Sequence, residues 1–151
     1  MPDTVNSLIA KLSLAPVADA DFEAMLALRI EALRESLERL GRFKPDVARA
    51  RLKSRFRPEW MQHLVVDGER VGYFTVEPRD GELRLHHLYV APAAQGQGIG
   101  AWVLDLIKAQ GQPITLAALR QSRANEFYMR HGFEVVEEQD FDIEYRWEPL
   151  A

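Results

Sequence analysis

Three glycines at alternate positions make the run Gln95-Gly96-Gln97-Gly98-Ile99-Gly100 the part of this chain best suited to holding a ligand. Gly96, Gly98 and Gly100 leave no side chain between the backbone and an approaching group. The run lies between a strand-like stretch, Leu83 to Val90 followed by Ala91-Pro92, and a helix-like stretch from Ala101 to Lys108. N–H groups at the start of a helix have no intrahelical acceptor and favour an anion. The predicted ligand is therefore a phosphate or pyrophosphate.

Proton-transfer candidates stand just upstream. Alternation along a strand over 82–90 puts Arg84, His86, Leu88 and Val90 on one face. His86 titrates in the range a general base needs. Arg84 cannot serve as a base, and His87 points the other way and reads as structural. Glu77, near the end of the preceding strand, is a second candidate base. His63, His86, His87 and His131 show no metal-ligand spacing, and the adjacent pair diverges on a strand, so no metal is expected. The sequence holds no cysteine, which excludes a thiolate metal site, a disulfide and a Cys nucleophile.

Positioning these residues takes a series of alternating elements. Residues 7–15, from Ser7, read as a first strand. Asp19 or Asp21 can cap a helix whose apolar face is Phe22, Leu26, Ile30, Leu33, Leu37 and Leu40, stopped by Gly41. Pro45 suits the first turn of a second helix reaching to about Arg57, with Pro58 ending it. His63 to Val66, the turn Asp67-Gly68, Val71 to Val76, a turn over 78–81 and Glu82 to Val90 read as an antiparallel meander. Ile99, Trp102, Val103, Leu106 and Ile107 form a helical stripe, closed by Gly111 and Pro113. Ile114 to Leu119 is a short strand, Ser122 to Arg130 a short helix ended by His131-Gly132, and Phe133–Glu137 with Phe141–Trp147 a last strand pair. The order β-α-α-β-β-β-α-β-α-β-β predicts an α/β (α+β layered) fold with a mixed, mostly antiparallel central sheet flanked by helices.

At 151 residues the chain is expected to form one domain over 1–151. Its 47% hydrophobic and 28% charged residues exclude a disordered chain. No apolar run approaches the roughly 20 residues of a membrane span. The start, Met1-Pro2-Asp3-Thr4, lacks the pattern of a secretory signal, and a cytoplasmic location is expected. A net charge of −4 argues against a nucleic-acid partner, and none is expected. Residues 42–57 are a local exception, with Arg42, Lys44, Arg49, Arg51, Lys53, Arg55 and Arg57 against Asp46 alone. They read as a solvated helix paired with the acidic helix before it, with a basic lip for an anionic ligand as the alternative.

Gly96 to Ala101 also satisfies the dinucleotide pattern G-x-G-x-x-A, but the context is wrong. The run follows an antiparallel meander, and no acid stands at Thr115 to Leu119 to hold a ribose. No Gly-Lys-Ser/Thr tripeptide is present for a Walker loop. Instead Val90-x-Pro92-x-x-Gln95-x-x-Gly98-Ile99-Gly100 resembles the acyl-CoA pyrophosphate signature of the GNAT N-acetyltransferases. Arg123-Ala124-x-x-Phe127-Tyr128-x-x-x-Gly132-Phe133 resembles that family's second signature, and the element order resembles its fold end to end.

The resemblance implies transfer of an acetyl group from acetyl-CoA directly to a primary amine of a small molecule or protein. It implies that the amides of residues 95–100 hold the pyrophosphate, with the Gln95 and Gln97 side chains adding hydrogen bonds. Leu88, Tyr89 and Val90 would lie along the pantetheine, pairing with it through backbone groups, and Phe127 would join the cofactor contacts. In this family the strand splays from its neighbour near that point. Tyr128 aligns with the tyrosine that protonates or hydrogen-bonds the leaving sulfur; its alternative is a core tyrosine on a helix. Several family members carry a His or Glu base on this strand, which makes His86 the candidate base here, with an amine that arrives neutral or loses its proton through waters as the alternative. The family's usual Asn, whose amide contacts the pantetheine, is here Gln121. The first two helices and the last strand pair would wall the acceptor side, with Arg29, Leu33, Glu35, Ser36 and Trp147 among the lining residues. Family members often dimerise, so a homodimer is expected. A catalytically weak acyl-CoA sensor is the alternative in another functional class.

Overall fold

The computed structural model describes residues 9–39, 41 and 44–150, without the side chains of 35–37. Ser7, Leu40, Arg42 and Met1 to Thr4, and the side chains of Glu35, Ser36 and Leu37, lie outside the described residues. Strands are β1 (Leu12–Pro16), β2 (Met61–Val66), β3 (Glu69–Arg79), β4 (Glu82–Val90), β5 (Ile114–Leu119), β6 (Glu134–Glu138) and β7 (Asp142–Trp147). Helices are α1 (Phe22–Arg39), α2 (Pro45–Arg55), α3 (Ile99–Lys108) and α4 (Ala124–Arg130). The seven strands form one sheet in the order β1-β2-β3-β4-β5-β7-β6. Pairings are antiparallel for β1·β2, β2·β3, β5·β7 and β6·β7 and parallel for β4·β5. The mixed, mostly antiparallel α/β fold expected from the sequence is the fold observed.

Several boundaries move for identifiable reasons. The first strand starts at Leu12, and residues 9 and 10 are helical. Leu12 already pairs with Val66, the last residue of β2, so earlier residues have no strand beside them. Helix α2 stops at Arg55, short of Arg57. Arg57 precedes Pro58, whose ring drives it out of the helical region, and it lies at φ −132, ψ 92. The last hairpin begins at Glu134 because the Phe133 N–H is taken by the Tyr128 carbonyl at 3.1 Å, closing α4. Asp67-Gly68 forms the predicted hairpin turn with φ positive at both residues, 51 and 79.

The chain forms two compact units, one from residues up to Thr75 with His87–Ile99, the other from Val76–His86 with Gly100 onward. In the first, Met25 and Leu26 of α1 and Ala48 and Leu52 of α2 pack with Val17, Met61 and Tyr73. The buried face of α1 is turned from the predicted stripe, so that Arg29 is buried while Phe22, Ile30 and Leu33 are only partly so. Asp21 ties the entry to α1: its carboxylate accepts from the Ala18 N–H (2.9 Å), His63 Nε2 (3.0 Å) and Arg70 Nη1 (3.0 Å). In the second unit, Val103, Leu104 and Ile107 of α3 are buried, as are Leu83, Leu85, Ile114, Leu116, Phe133 and Tyr145. Leu104 takes the place expected of Leu106, which is 40% exposed. Among the described residues no helix is long and apolar enough to cross a membrane.

Candidate active site

The end of β4 and the glycine run as far as Ile99 belong to the first unit, and Gly100 to the second. A short 3-10 turn, Pro92–Ala94, follows β4. Gln95 then folds back, donating its side-chain amide to the Val90 carbonyl at 2.9 Å. Gln97 donates in the same way to the Ala93 carbonyl at 3.3 Å. One N–H of each amide is engaged within the loop and helps to shape it, and each NH2 carries a second donor. Gly96 and Gly98 lie in the left-handed region, φ +74 and +85, which a side chain would strain. Among the described residues the backbone amides of Gly96, Gln97 and Gly98 donate to no protein acceptor in the loops and caps. The Ile99 side chain is buried and anchors the first turn of α3. Three N–H donors without a protein acceptor among the described residues, leading into a helix, are the kind of group that suits an anion.

Leu88, Tyr89 and Val90 are partly buried. Their backbone is held from β3 by a feature that the sequence reading passed over. A Cβ on Gly72 would stand 2.3 Å from the Tyr89 carbonyl oxygen and 3.2 Å from Val90 Cα. The β2–β3 register shifts beside it, from Leu64↔Gly72 to Val65↔Arg70, leaving Val71 bulged. The Val71 carbonyl accepts from the Ala91 N–H at 2.8 Å. The available signal was the lone glycine inside a strand pattern, which marks a bulge or a close backbone approach.

The second unit holds the proton-transfer candidates. His86 and Glu77, read separately from the sequence, meet: His86 Nε2 and Glu77 Oε1 are 2.7 Å apart. The His86 side chain is 6% exposed. Arg79 also donates to Glu77, through Nε at 3.2 Å and Nη2 at 3.1 Å. The bond from His86 and then those from Arg79 hold the Glu77 carboxyl below its usual range. A carboxylate on Nε2 fixes that nitrogen as the donor and makes Nδ1 the basic one. Arg84 is paired with Glu144. His87, in the first unit, is buried with Nδ1 2.8 Å from the Thr75 hydroxyl, a structural position. Within the second unit the β4·β5 register runs only from Leu83↔Ile114 to Leu85↔Leu116, although β4 continues to Val90 and β5 to Leu119.

Tyr128 is buried among Phe127, Phe133 and Tyr145, with ring centroids 5.3, 5.6 and 6.2 Å away. The Phe127 ring covers Gly100: a Cβ there would come within 2.9 Å of Phe127 Cζ. Gly100 therefore admits a neighbouring side chain of its own unit. Gln121 adopts φ +65. That left-handed conformation suits Asn better than Gln, a physical reason for the asparagine of the related signature. Asn125 was also missed. Its buried amide donates to the Leu119 carbonyl (2.8 Å) and accepts from the Tyr145 hydroxyl (2.8 Å), tying α4 to β5 and β7. Trp147 lies against Gly132 and under the Lys108 ammonium, 5.2 Å from its ring centroid. Arg49 of the basic run pairs with Glu23 of α1 at 2.9 Å, as a helix answering the acidic one before it.

A sequence model of the acetyltransferase (GNAT) domain matches residues 59–135, just over half of the chain. The chain belongs to the GNAT acetyltransferase family. The match spans β2 to the start of β6 and so includes the glycine run, the His86–Glu77 pair and Tyr128. Solved structures share the GNAT fold at low identity. The PaiA N-acetyltransferase of Thermoplasma acidophilum, in complex with coenzyme A, is 16% identical with a TM-score of 0.72, covering 91% of this chain and 98% of that one. An acetyltransferase from Thermus thermophilus is 22% identical with a TM-score of 0.71, covering 93% and 97%. Ard1 from Thermoplasma volcanium is 18% identical with a TM-score of 0.66, covering 93% and 99%. A comparison with curated protein sequences finds no match.

Proposed function

We propose that this GNAT chain acts as one catalytic domain, moving an acetyl group from acetyl-CoA directly to a primary amine. The observation that carries this reading is the set of unpaired amides at Gly96, Gln97 and Gly98, set in left-handed backbone before α3 and inside the family match. In this reading they receive the coenzyme diphosphate, while the backbone of Leu88, Tyr89 and Val90 pairs with the pantetheine amides. The coenzyme A held by the Thermoplasma acidophilum relative supports the choice of ligand.

The amine nitrogen attacks the thioester carbonyl carbon, the C–S bond breaks, and the amine loses one proton while the departing thiolate gains one. Nδ1 of His86, oriented by Glu77, takes the amine proton, and Tyr128 supplies the proton to sulfur. Gln121 and Phe127 are assigned to the cofactor side on the strength of the family signature alone.

Thiol release from acetyl-CoA across a panel of amines, with calorimetric binding of acetyl-CoA alongside, tests the assignment. The expected result is binding of acetyl-CoA and free CoA with at least one amine. In Gly98→Val the new side chain, at φ +85, closes the loop, and acetyl-CoA affinity falls by at least about tenfold. Unchanged affinity in a folded Gly98→Val variant removes the loop assignment. Binding without turnover on any amine favours the sensor reading instead.

A further inference from the structure

Among the described residues, the core of the first unit contains a cation that no ion pair answers. Arg29 of α1 is 9% exposed. Its Nη1 donates to the Ala48 carbonyl of α2 at 2.9 Å, and its guanidinium lies 5.8 Å from the Tyr89 ring centroid. Its Nε is buried and, among the described residues, donates to nothing. The hydroxyl of Tyr73, a residue of β3 with no exposed surface, likewise has no partner among them. Tyr73 meets Tyr89 edge-on at 5.5 Å, and Arg29 is near enough for its charge to act on the Tyr73 phenol. Two acids of the neighbouring segment are engaged elsewhere: Glu23 with Arg49, and Asp21 with His63 and Arg70.

An unpaired buried donor costs about 1–3 kcal/mol, and a buried charge without a partner costs more. Two such donors in one cluster call for a group that satisfies both. One N–H on a cation and one neutral O–H match the two oxygens of a carboxylate, whereas a phosphate asks for more donors. Burial pushes the Tyr73 phenol well above its usual range, so it remains a donor. Tyr89, which shares the cluster, is only half-buried and directly precedes Val90, in the backbone assigned to the acyl donor.

We propose that Arg29 and Tyr73 receive a carboxylate carried by the acceptor, which makes the acceptor an amino acid or a related primary amine bearing a carboxylate. This rests on the acetyl-transfer reading above. The competing occupant is an ordered water, which satisfies the same donors without discriminating between acceptors.

The test uses the full chain and matched pairs of α- and ω-amino acids and their carboxamides. Two readouts are taken at equal ionic strength: kcat/KM from thiol release, and the melting temperature with each compound alone. The expected result is an acid-over-amide ratio of at least about tenfold in kcat/KM, the size a site built around a charged hydrogen bond gives. Tyr73→Phe deletes only an unpaired oxygen, so it folds; in it the ratio shrinks severalfold. Arg29→Lys keeps the charge, loses the fork and shrinks it too. Should no amine be turned over, acids that raise the melting temperature of the unmutated chain above their amides, and fail to do so in Tyr73→Phe, support the carboxylate site while the acetyl-transfer reading falls. Turnover in which amides equal or exceed acids, or a preference untouched in both variants, overturns the proposal, as does the absence of any acid-specific effect in either readout.

Discussion

At the scale of single residues, His86 takes its chemistry from a neighbour on another strand. An imidazole alone on β4 is one polar group among several; with Glu77 on Nε2 it has a fixed tautomer and a stabilised imidazolium. Strand alternation was enough to put His86 on the face of Leu88 and Val90. It could not say which β3 residue lies opposite, because that depends on the length of the turn at Asp80-Gly81. Replacing His86 with Ala is expected to lower kcat about 10²–10⁴-fold, the usual worth of a positioned base, and to abolish the acidic limb of its pH profile. Glu77→Gln keeps the hydrogen bond but not the charge. Without the carboxylate the protonated ring loses its counter-charge, and the acidic limb of kcat is expected to move to lower pH. A limb that stays in place in both variants assigns the base elsewhere. Tyr128→Phe separates the two readings of that residue. As the proton donor, it lowers kcat at least about tenfold with acetyl-CoA affinity held. As a core tyrosine it leaves kcat alone and shifts only the melting temperature.

At the scale of elements, the crossing of β3 and β4 at Gly72 sets the backbone on which the acyl donor is proposed to lie. The sequence marked β4 to the residue, Glu82 to Val90, whereas β3, read as Val71 to Val76, runs from Glu69 to Arg79. The bulge at Val71 was hidden, because a bulge adds one residue without changing composition and shows only in the register of the partner strand. The same limit hid the burial of Arg29, which was read only as lining the acceptor side. Helical periodicity fixes the width of an apolar stripe better than its direction, so a residue one position off the stripe turned inward. Gly72→Ala brings a methyl within 2.3 Å of the Tyr89 carbonyl, where only backbone can yield. The expected cost is about 1–3 kcal/mol of stability, the range for overpacking, read by denaturant titration. A several-fold weaker acetyl-CoA affinity should accompany it, because the Tyr89–Val90 backbone shifts. A stable Gly72→Ala with unaltered affinity shows that the bulge region does not position the donor.

At the scale of the whole molecule, element order was legible because each segment carries its own period and punctuation. Strand order was not: β7 inserts between β5 and β6, and two strands joined by a short turn look the same in sequence whichever of them lies inward. The long-range ties that such a fold needs are equally silent in sequence, and Asp21 is the clearest. It joins the entry of α1 to β2 and β3 through Ala18, His63 and Arg70, across 42 and 49 residues of chain to the last two. The Ala18 N–H first, then His63 and Arg70, hold its carboxyl well below the ordinary 3.8. A group with a depressed native pKa binds more protons when unfolded, so its contribution is present above the unfolded value and is lost as pH falls towards the native one. Stability is therefore expected to decline as pH is lowered from about 5 towards about 2. Asp21→Asn removes that proton linkage. It should lower stability near neutral pH by about 1–3 kcal/mol, the cost of weakening a partly buried charged hydrogen-bond set, and flatten the acid slope. Denaturant midpoints of both proteins across that window decide the matter. Parallel slopes mean that other carboxylates govern acid unfolding, and that the Asp21 tie is no more than a local cap on the turn before α1.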